Sequence, residues 1–247
     1  MTTRSLHIGI NYPGSQCELH GCVNDAENLS EYLVKSGFVL PEHSVILREA
    51  TCSDIVSNIQ KLVVESNRRR LKHVFISYSG HGVSVPDQNG DELDGSDECV
   101  CPSDYQTAGI VSDDVLKALF SKFYKSTKIT VLMDCCHSGS ILDLPYTYIS
   151  STNQDVQTVG ACHPKIVMIS GCTDSQTSAD TYDTSRKEQT GAMTSAFLDT
   201  IAHEPNVLEN AYHLTTCMRI LLKERHMSQI PQLSTSFQPR ASPLKFI

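Results

Sequence analysis

The sequence predicts an α/β fold with a mostly parallel central sheet flanked by helices, and three observations carry that reading. Residues 74–78, 129–133 and 166–169 are short, almost continuously apolar runs, the length and composition of strands covered on both faces. Segments with helical spacing and capping residues alternate with them. With 40% apolar and 19% charged residues among 247, the chain has the material for a full core.

In chain order, residues 6–12 read as the first strand. Residues 24–35 read as a helix, with Asn24 as cap, Glu27 completing a capping box and Gly37 beyond its end. Thr51 and Asp54 form a second capping box ahead of Ile55, Ile59, Leu62 and Val63, which recur at helical spacing as far as Arg68–Arg70. A long polar loop and a helix over 113–123 lie between the strands at 74–78 and 129–133. After 166–169 come a polar loop, 173–190, and helices over about 192–202 and 212–225. No internal repeat, low-complexity tract or linker divides the chain, so a single domain over 1–247 is expected.

Twenty Lys and Arg against 28 Asp and Glu give a formal charge of −8, which disfavours nucleic acid and anionic membranes as partners. No run approaches the length of a membrane span. The start of the chain has no signal-peptide core, so the expected location is cytoplasmic and the ten cysteines are expected to be free thiols.

In open α/β sheets, ligands sit beyond the carboxyl ends of the strands. Two strand ends there hold unusual residues: Ser79-Gly80-His81-Gly82 after the strand ending at Tyr78, and Asp134-Cys135-Cys136-His137-Ser138-Gly139 after the strand ending at Met133. A thiol becomes a good nucleophile only as thiolate, which His81 could generate from Cys136, while the flanking glycines let substrate backbone approach. The backbone amides of Gly82 and Cys136 could together bind an oxyanion. A zinc cluster from Cys135, Cys136, His137, Cys99 and Cys101 is disfavoured, because adjacent cysteines chelate awkwardly. A dithiol redox role lacks the Cys-x-x-Cys spacing. The remaining cysteines read as small buried hydrophobes.

Residues 78–82 (Tyr-Ser-Gly-His-Gly) and 134–139 (Asp-Cys-Cys-His-Ser-Gly) resemble the paired motifs of metacaspases, specifically the type I branch. The likeness extends to residues 8–12, 21–26 and 231–234, and so over essentially the whole chain. His81 precedes Cys136 by 55 residues, near the offset of about 50 noted in caspases, although the Gln-Ala-Cys signature is absent. The resemblance implies a caspase-like three-layer sandwich and a thiol protease with a His81–Cys136 dyad, in which Cys135 is the neighbour that relatives often hold as Ser. It implies cleavage of protein or peptide substrates after Arg or Lys, with Asp25, Asp134, Ser79 and Cys22 lining an acidic specificity pocket. Opposite charges about 4 Å apart attract by about 4 kcal/mol at an effective dielectric near 20. For Asp25 the plainer role is to complement a helix start.

The acidic stretch 87–98 places Asp87, Asn89, Asp91 and Glu98 at EF-hand spacings, but Glu92 stands where glycine is required, so an EF-hand is rejected. The resemblance implies instead an activating Ca²⁺ held near Asp97 with Asp113 and Asp114; Ser112, Asp113 and Asp114 could equally cap the helix beginning there. Arg186 and Lys187, in a polar loop, are candidate self-cleavage positions, or simply a solvated charge pair. Relatives often carry a Pro/Gln-rich or zinc-finger extension; the expectation here is a peptidase domain with no N-terminal prodomain, no organic cofactor, and a monomer. The competing expectation is a catalytically silent caspase-like scaffold that binds partners.

Overall fold

The structure, a computed structural model, describes residues 2–86, 95–136, 141–148, 154–156, 164–171, 180–183, 186–238 and 244–247. The elements, in order, are β1 (Thr3–Gly9), α1 (Cys22–Lys35), β2 (Ser44–Arg48), α2 (Cys52–Arg69), β3 (His73–Ser79), β4 (Gly82–Pro86) and β5 (Ser96–Val100). Then follow α3 (Tyr105–Ala108), β6 (Val111–Ser112), α4 (Asp113–Phe120), β7 (Lys128–Asp134), β8 (Tyr146–Tyr148), β9 (Gln154–Val156) and β10 (Lys165–Ser170). Last come β11 (Asp180–Asp183), β12 (Glu188–Gly191), α5 (Ala192–His203), α6 (Ala211–Glu224) and β13 (Gln232–Thr235).

Eight strands form the main sheet in the order β2-β1-β3-β7-β10-β13-β8-β9. The first five run parallel, and β13 joins β10 antiparallel. Period-2 alternation explains why those runs are apolar throughout: Val74, Ile76, Ile129, Val131, Ile166 and Met168 face one buried cluster, with Ile55, Ile59 and Leu116. Phe75, Leu132, Val167 and Ile169 face the other, with Leu29, Met193, Phe197 and Met218. Helices α2 and α4 thus cover one face and α1, α5 and α6 the opposite one, giving three layers. No helix among the described residues is long and apolar enough to cross a membrane.

The Thr51–Asp54 capping box is present, and Gly37 follows α1 at φ +75°. The first helix start is a correction. α1 begins at Cys22, Gly21 is its cap with no side-chain bond, and the Asn24 amide instead donates to the Gln189 carbonyl at 2.9 Å. The expected long polar loops also contain structure: β4, β5 and β6 form a small antiparallel sheet, and β11 and β12 form a hairpin. Cys22, Cys99, Cys101 and Cys135 are buried as expected, whereas Cys17, Cys52 and Cys217 are only half-buried. Cys162, Cys172, His137, Ser138, Gly139 and the EF-hand positions Asp87, Asn89, Asp91 and Glu92 lie outside the described residues.

Candidate active site at the carboxyl edge of the sheet

Adjacent parallel strands deliver both motifs to one place. Ser79, the last residue of β3, pairs with Asp134, the last of β7, and the Gly80 amide donates to the Asp134 carbonyl at 3.3 Å. The two chains therefore leave the sheet side by side, one as Gly80-His81-Gly82 and the other as Cys135-Cys136. Cys135 is buried, while Cys136 is partly exposed. The glycines have a role that the sequence reading did not assign. A Cβ on Gly82 would stand 2.0 Å from the Cys136 carbonyl oxygen, and one on Gly80 would stand 2.7 Å from the Tyr78 hydroxyl. They let the protein's own backbone close up around the strand ends.

His81 is held from several sides. Its Nε2 lies 2.7 Å from the Cys17 carbonyl oxygen. A carbonyl only accepts, so Nε2 carries a hydrogen, and Nδ1 is the nitrogen that can act as a base. The His81 amide donates to the Tyr12 hydroxyl at 2.9 Å, and the Tyr78 hydroxyl donates to the His81 carbonyl at 2.8 Å. The Tyr12 hydroxyl in turn donates to the Cys101 carbonyl at 2.6 Å. Burial pushes both phenols up, so they remain neutral donors. Burial likewise raises the Cys99 thiol to about 12 and the Cys101 thiol to about 11, which keeps them protonated. Cys17 differs: hydrogen bonds from the Ser15 and Tyr105 hydroxyls lower its thiol below the usual value.

The four expected pocket residues converge. Gly9, at the end of β1, pairs with Ser79, and the Cys22 carbonyl packs so tightly on Gly9 that a Cβ there would lie 2.3 Å from it. Asp25, one turn along α1 from Cys22, is fully buried. It accepts from the Thr190 hydroxyl, from the Gly191 amide at 3.0 Å, and from the Ser79 hydroxyl. Asp134 is 4% exposed and accepts from both the amide and the hydroxyl of Thr194, at 2.8 Å each, in the first turn of α5. A Cβ on Gly191 would lie 2.7 Å from an Asp25 oxygen and 2.2 Å from an Asp134 oxygen, so both carboxylates point at one spot. Burial, and then the charge of Asp134, push the Asp25 carboxyl well above the ordinary range. Thr190, Gly191 and Thr194 were missed in the sequence because backbone amides and threonines leave no motif.

The expected calcium residues lie on β5 and α4. Asp97 and Asp113 are buried, and Asp113 accepts from the Glu98 and Asp114 amides at 2.8 Å each. Burial raises the Asp113 carboxyl to about 6, the two amide bonds oppose this, and the charges of Asp143 and Asp97 add to it. Asp143, not anticipated from sequence, is buried and pairs with Lys117 at 3.0 Å. Ser112 does cap α4, accepting from the Val115 amide at 3.4 Å.

Arg186 and Lys187 sit at the turn of the β11–β12 hairpin. Arg186 pairs with Asp183 and, at 2.9 Å, with Asp199, which also binds Arg225. Lys187 is exposed, at φ +58°. Arg186 is thus a strut that ties the hairpin carrying Thr190 and Gly191 to α5 and the end of α6.

Comparison with known proteins agrees with this architecture. The family model described as the caspase domain matches residues 2–241. The chain is 35% identical to Metacaspase-3 of Trypanosoma brucei brucei, over 95% of this chain and 71% of that protein. It is 34% identical to Metacaspase-1 of Yarrowia lipolytica, over 99% of this chain and 63% of that one. Among solved structures it resembles protein GSU0716 from Geobacter sulfurreducens, with a TM-score of 0.68 and 26% identity over 98% of this chain and 96% of that one. It shares the fold of Caspase-1 from Spodoptera frugiperda, with a TM-score of 0.59 and 12% identity over 95% and 84% of the respective chains.

Proposed function

We propose, from the premise that the chain belongs to the metacaspase family of caspase-domain cysteine peptidases, that it hydrolyses peptide bonds after arginine or lysine. The observation that carries this reading is the meeting of Asp25 and Asp134 at Gly191, beside the strand ends that bear His81 and Cys136. Two buried carboxylates held by hydroxyls and amides favour a guanidinium or ammonium group and repel an acidic side chain.

In the proposed reaction His81 Nδ1 takes the proton of the Cys136 thiol, and the Nε2–H bond to the Cys17 carbonyl steadies the imidazolium that results. The Cys136 sulfur attacks the peptide carbonyl. The oxyanion rests on the amides of Gly82 and Cys136, worth about 3 kcal/mol for each donor aimed at the charge. His81 then returns its proton to the leaving amine, and water hydrolyses the acyl-enzyme.

Calcium is the proposed activator, with Asp97, Asp113 and Asp114 as ligands. The Asp113 carboxyl, whose proton affinity is raised by burial and then by the charges of Asp143 and Asp97, fits a hard, oxygen-seeking dication, which would supply the compensating charge. Gly82 pairs with Val100, so β5, which carries Asp97, is joined through β4 to the residue after His81. Any self-processing at the β11–β12 turn falls to exposed Lys187, because Arg186 is committed to its aspartates.

The test is purified protein with Arg-ending, Lys-ending and Asp-ending fluorogenic peptides, with and without Ca²⁺. We expect release from the first two only, stimulation by Ca²⁺, and loss of release in Cys136→Ala. Preferential release from the Asp-ending peptide overturns the pocket assignment; activity surviving in Cys136→Ala overturns the nucleophile.

A further inference from the structure

We infer that Glu204, His213 and Cys217 form a surface site for one divalent transition-metal ion of the zinc class. The site lies where α5 ends and α6 begins, apart from the peptidase site. His213 and Cys217 are four residues apart on α6 and so share one face, the spacing that lets a helix offer two ligands to one metal. Glu204 follows the last residue of α5. Its amide is bonded to the Thr200 carbonyl at 2.9 Å, and the start of α6 is fixed by Asn210, which accepts from the His213 amide at 3.3 Å. The backbone thus holds all three residues in place before any metal arrives.

One donor atom from each residue lies within 4.8 Å of the others. His213 Nε2 is 3.0 Å from a Glu204 carboxylate oxygen and 3.8 Å from the Cys217 sulfur. Tetrahedral zinc, with bonds of about 2.3 Å to sulfur and about 2.1 Å to nitrogen and oxygen, holds N and S about 3.6 Å apart and N and O about 3.4 Å apart. The two separations from Nε2 are therefore within a few tenths of an ångström of the coordinated values, and binding requires the Cys217 sulfur, which lies 3.8 Å from Nδ1 as well, to turn toward Nε2. Helical spacing by itself sets the half-buried thiol beside the ring; what completes a donor set is the Glu204 carboxylate, brought from the end of α5 to the same imidazole. Mixed S, N and O donors select Zn²⁺ and its neighbours over Ca²⁺ or Mg²⁺. Binding displaces the Cys217 thiol proton and leaves the imidazole hydrogen on Nδ1, with water completing the coordination.

The experiment uses the intact chain and Zn²⁺ alone. Alkylation of Cys217 by iodoacetamide is followed by peptide mass spectrometry with and without Zn²⁺, in the native chain and in His213→Gln and Glu204→Gln. We expect Zn²⁺ to slow alkylation at Cys217 by about tenfold or more in the native chain, with most of that protection lost in both variants. A second reading uses Co²⁺: the sulfur-to-metal absorption band should weaken in Cys217→Ser but not in Cys52→Ser. Alkylation of Cys217 unaffected by Zn²⁺, protection retained in both variants, or a Co²⁺ band unchanged in Cys217→Ser overturns the proposal.

Discussion

The Tyr12 ring lies against the His81 imidazole with centroids 4.7 Å apart, and the same tyrosine's hydroxyl accepts the His81 amide hydrogen. Through the bond from that hydroxyl to Cys101, the end of β5 and the end of β3 are joined around one buried phenol. Tyr12→Phe keeps the ring and removes the hydroxyl, leaving the His81 amide short of a partner, while the Cys101 carbonyl keeps the Tyr78 hydroxyl at 3.1 Å. We expect kcat to fall about tenfold with KM little changed, as steady-state kinetics on an Arg-ending peptide will show.

Gly82 abuts the Cys136 carbonyl, and Gly82→Ala puts a methyl group 2.0 Å from that oxygen. One of the two strand ends must move. We expect kcat/KM to drop about 100-fold, because displacements of this size misalign a reacting pair. A melting curve showing a folded protein separates this from global collapse.

The raised proton affinity of Asp25 gives the proposed pocket a pH dependence of definite sign. Below its pKa in the folded protein Asp25 is neutral and attracts a basic side chain weakly; above it the second charge appears. We expect 1/KM for an Arg-ending peptide to climb as pH rises through this ionisation, and Asp25→Asn to flatten that limb at the low-affinity level.

Two buried histidines contribute to the acid stability. Burial lowers His7 and His73 from 6.5 to about 3 each, with Lys128 contributing at His73. The unfolded chain binds these protons first, so the stability contribution is present above 6.5 and is lost as pH falls toward about 3. The buried carboxyls act with the opposite sign, so a comparison isolates the effect. Relative to the native chain, His73→Gln should gain stability on acidification, at up to about 1.4 kcal/mol per pH unit in urea unfolding.

The legibility of the sequence follows the same physics. Strands β3, β7 and β10 were readable because burial on both faces leaves an unbroken apolar run, and the helix starts at Thr51 and Ser112 were readable because capping is local. The small β4–β5–β6 sheet and the β11–β12 hairpin were not, since short polar strands look like loops until a partner is known. Asn24 had the right chemistry for a cap but is used to hold Gln189 of the β11–β12 hairpin. The two aspartates could be named from the resemblance, yet their convergence on Gly191 depends on a hairpin whose Gly191 is 166 residues from Asp25 in the chain. Tyr12 and Tyr78 lay inside the recognised motifs, but nothing local announces that their hydroxyls grip the backbone of His81.

The central claim is that His81 makes the Cys136 sulfur the nucleophile, and trapping it is the most direct test. A peptide ending in an arginyl chloromethyl ketone, which alkylates sulfur with loss of chloride, is incubated with the protein, and the modified residue and its rate of formation are read by mass spectrometry. The account predicts a thioether on Cys136, with the rate lowered about 100-fold or more in His81→Ala. Modification at Cys135 or Cys17 instead, or an unchanged rate at Cys136 without the imidazole, would contradict it.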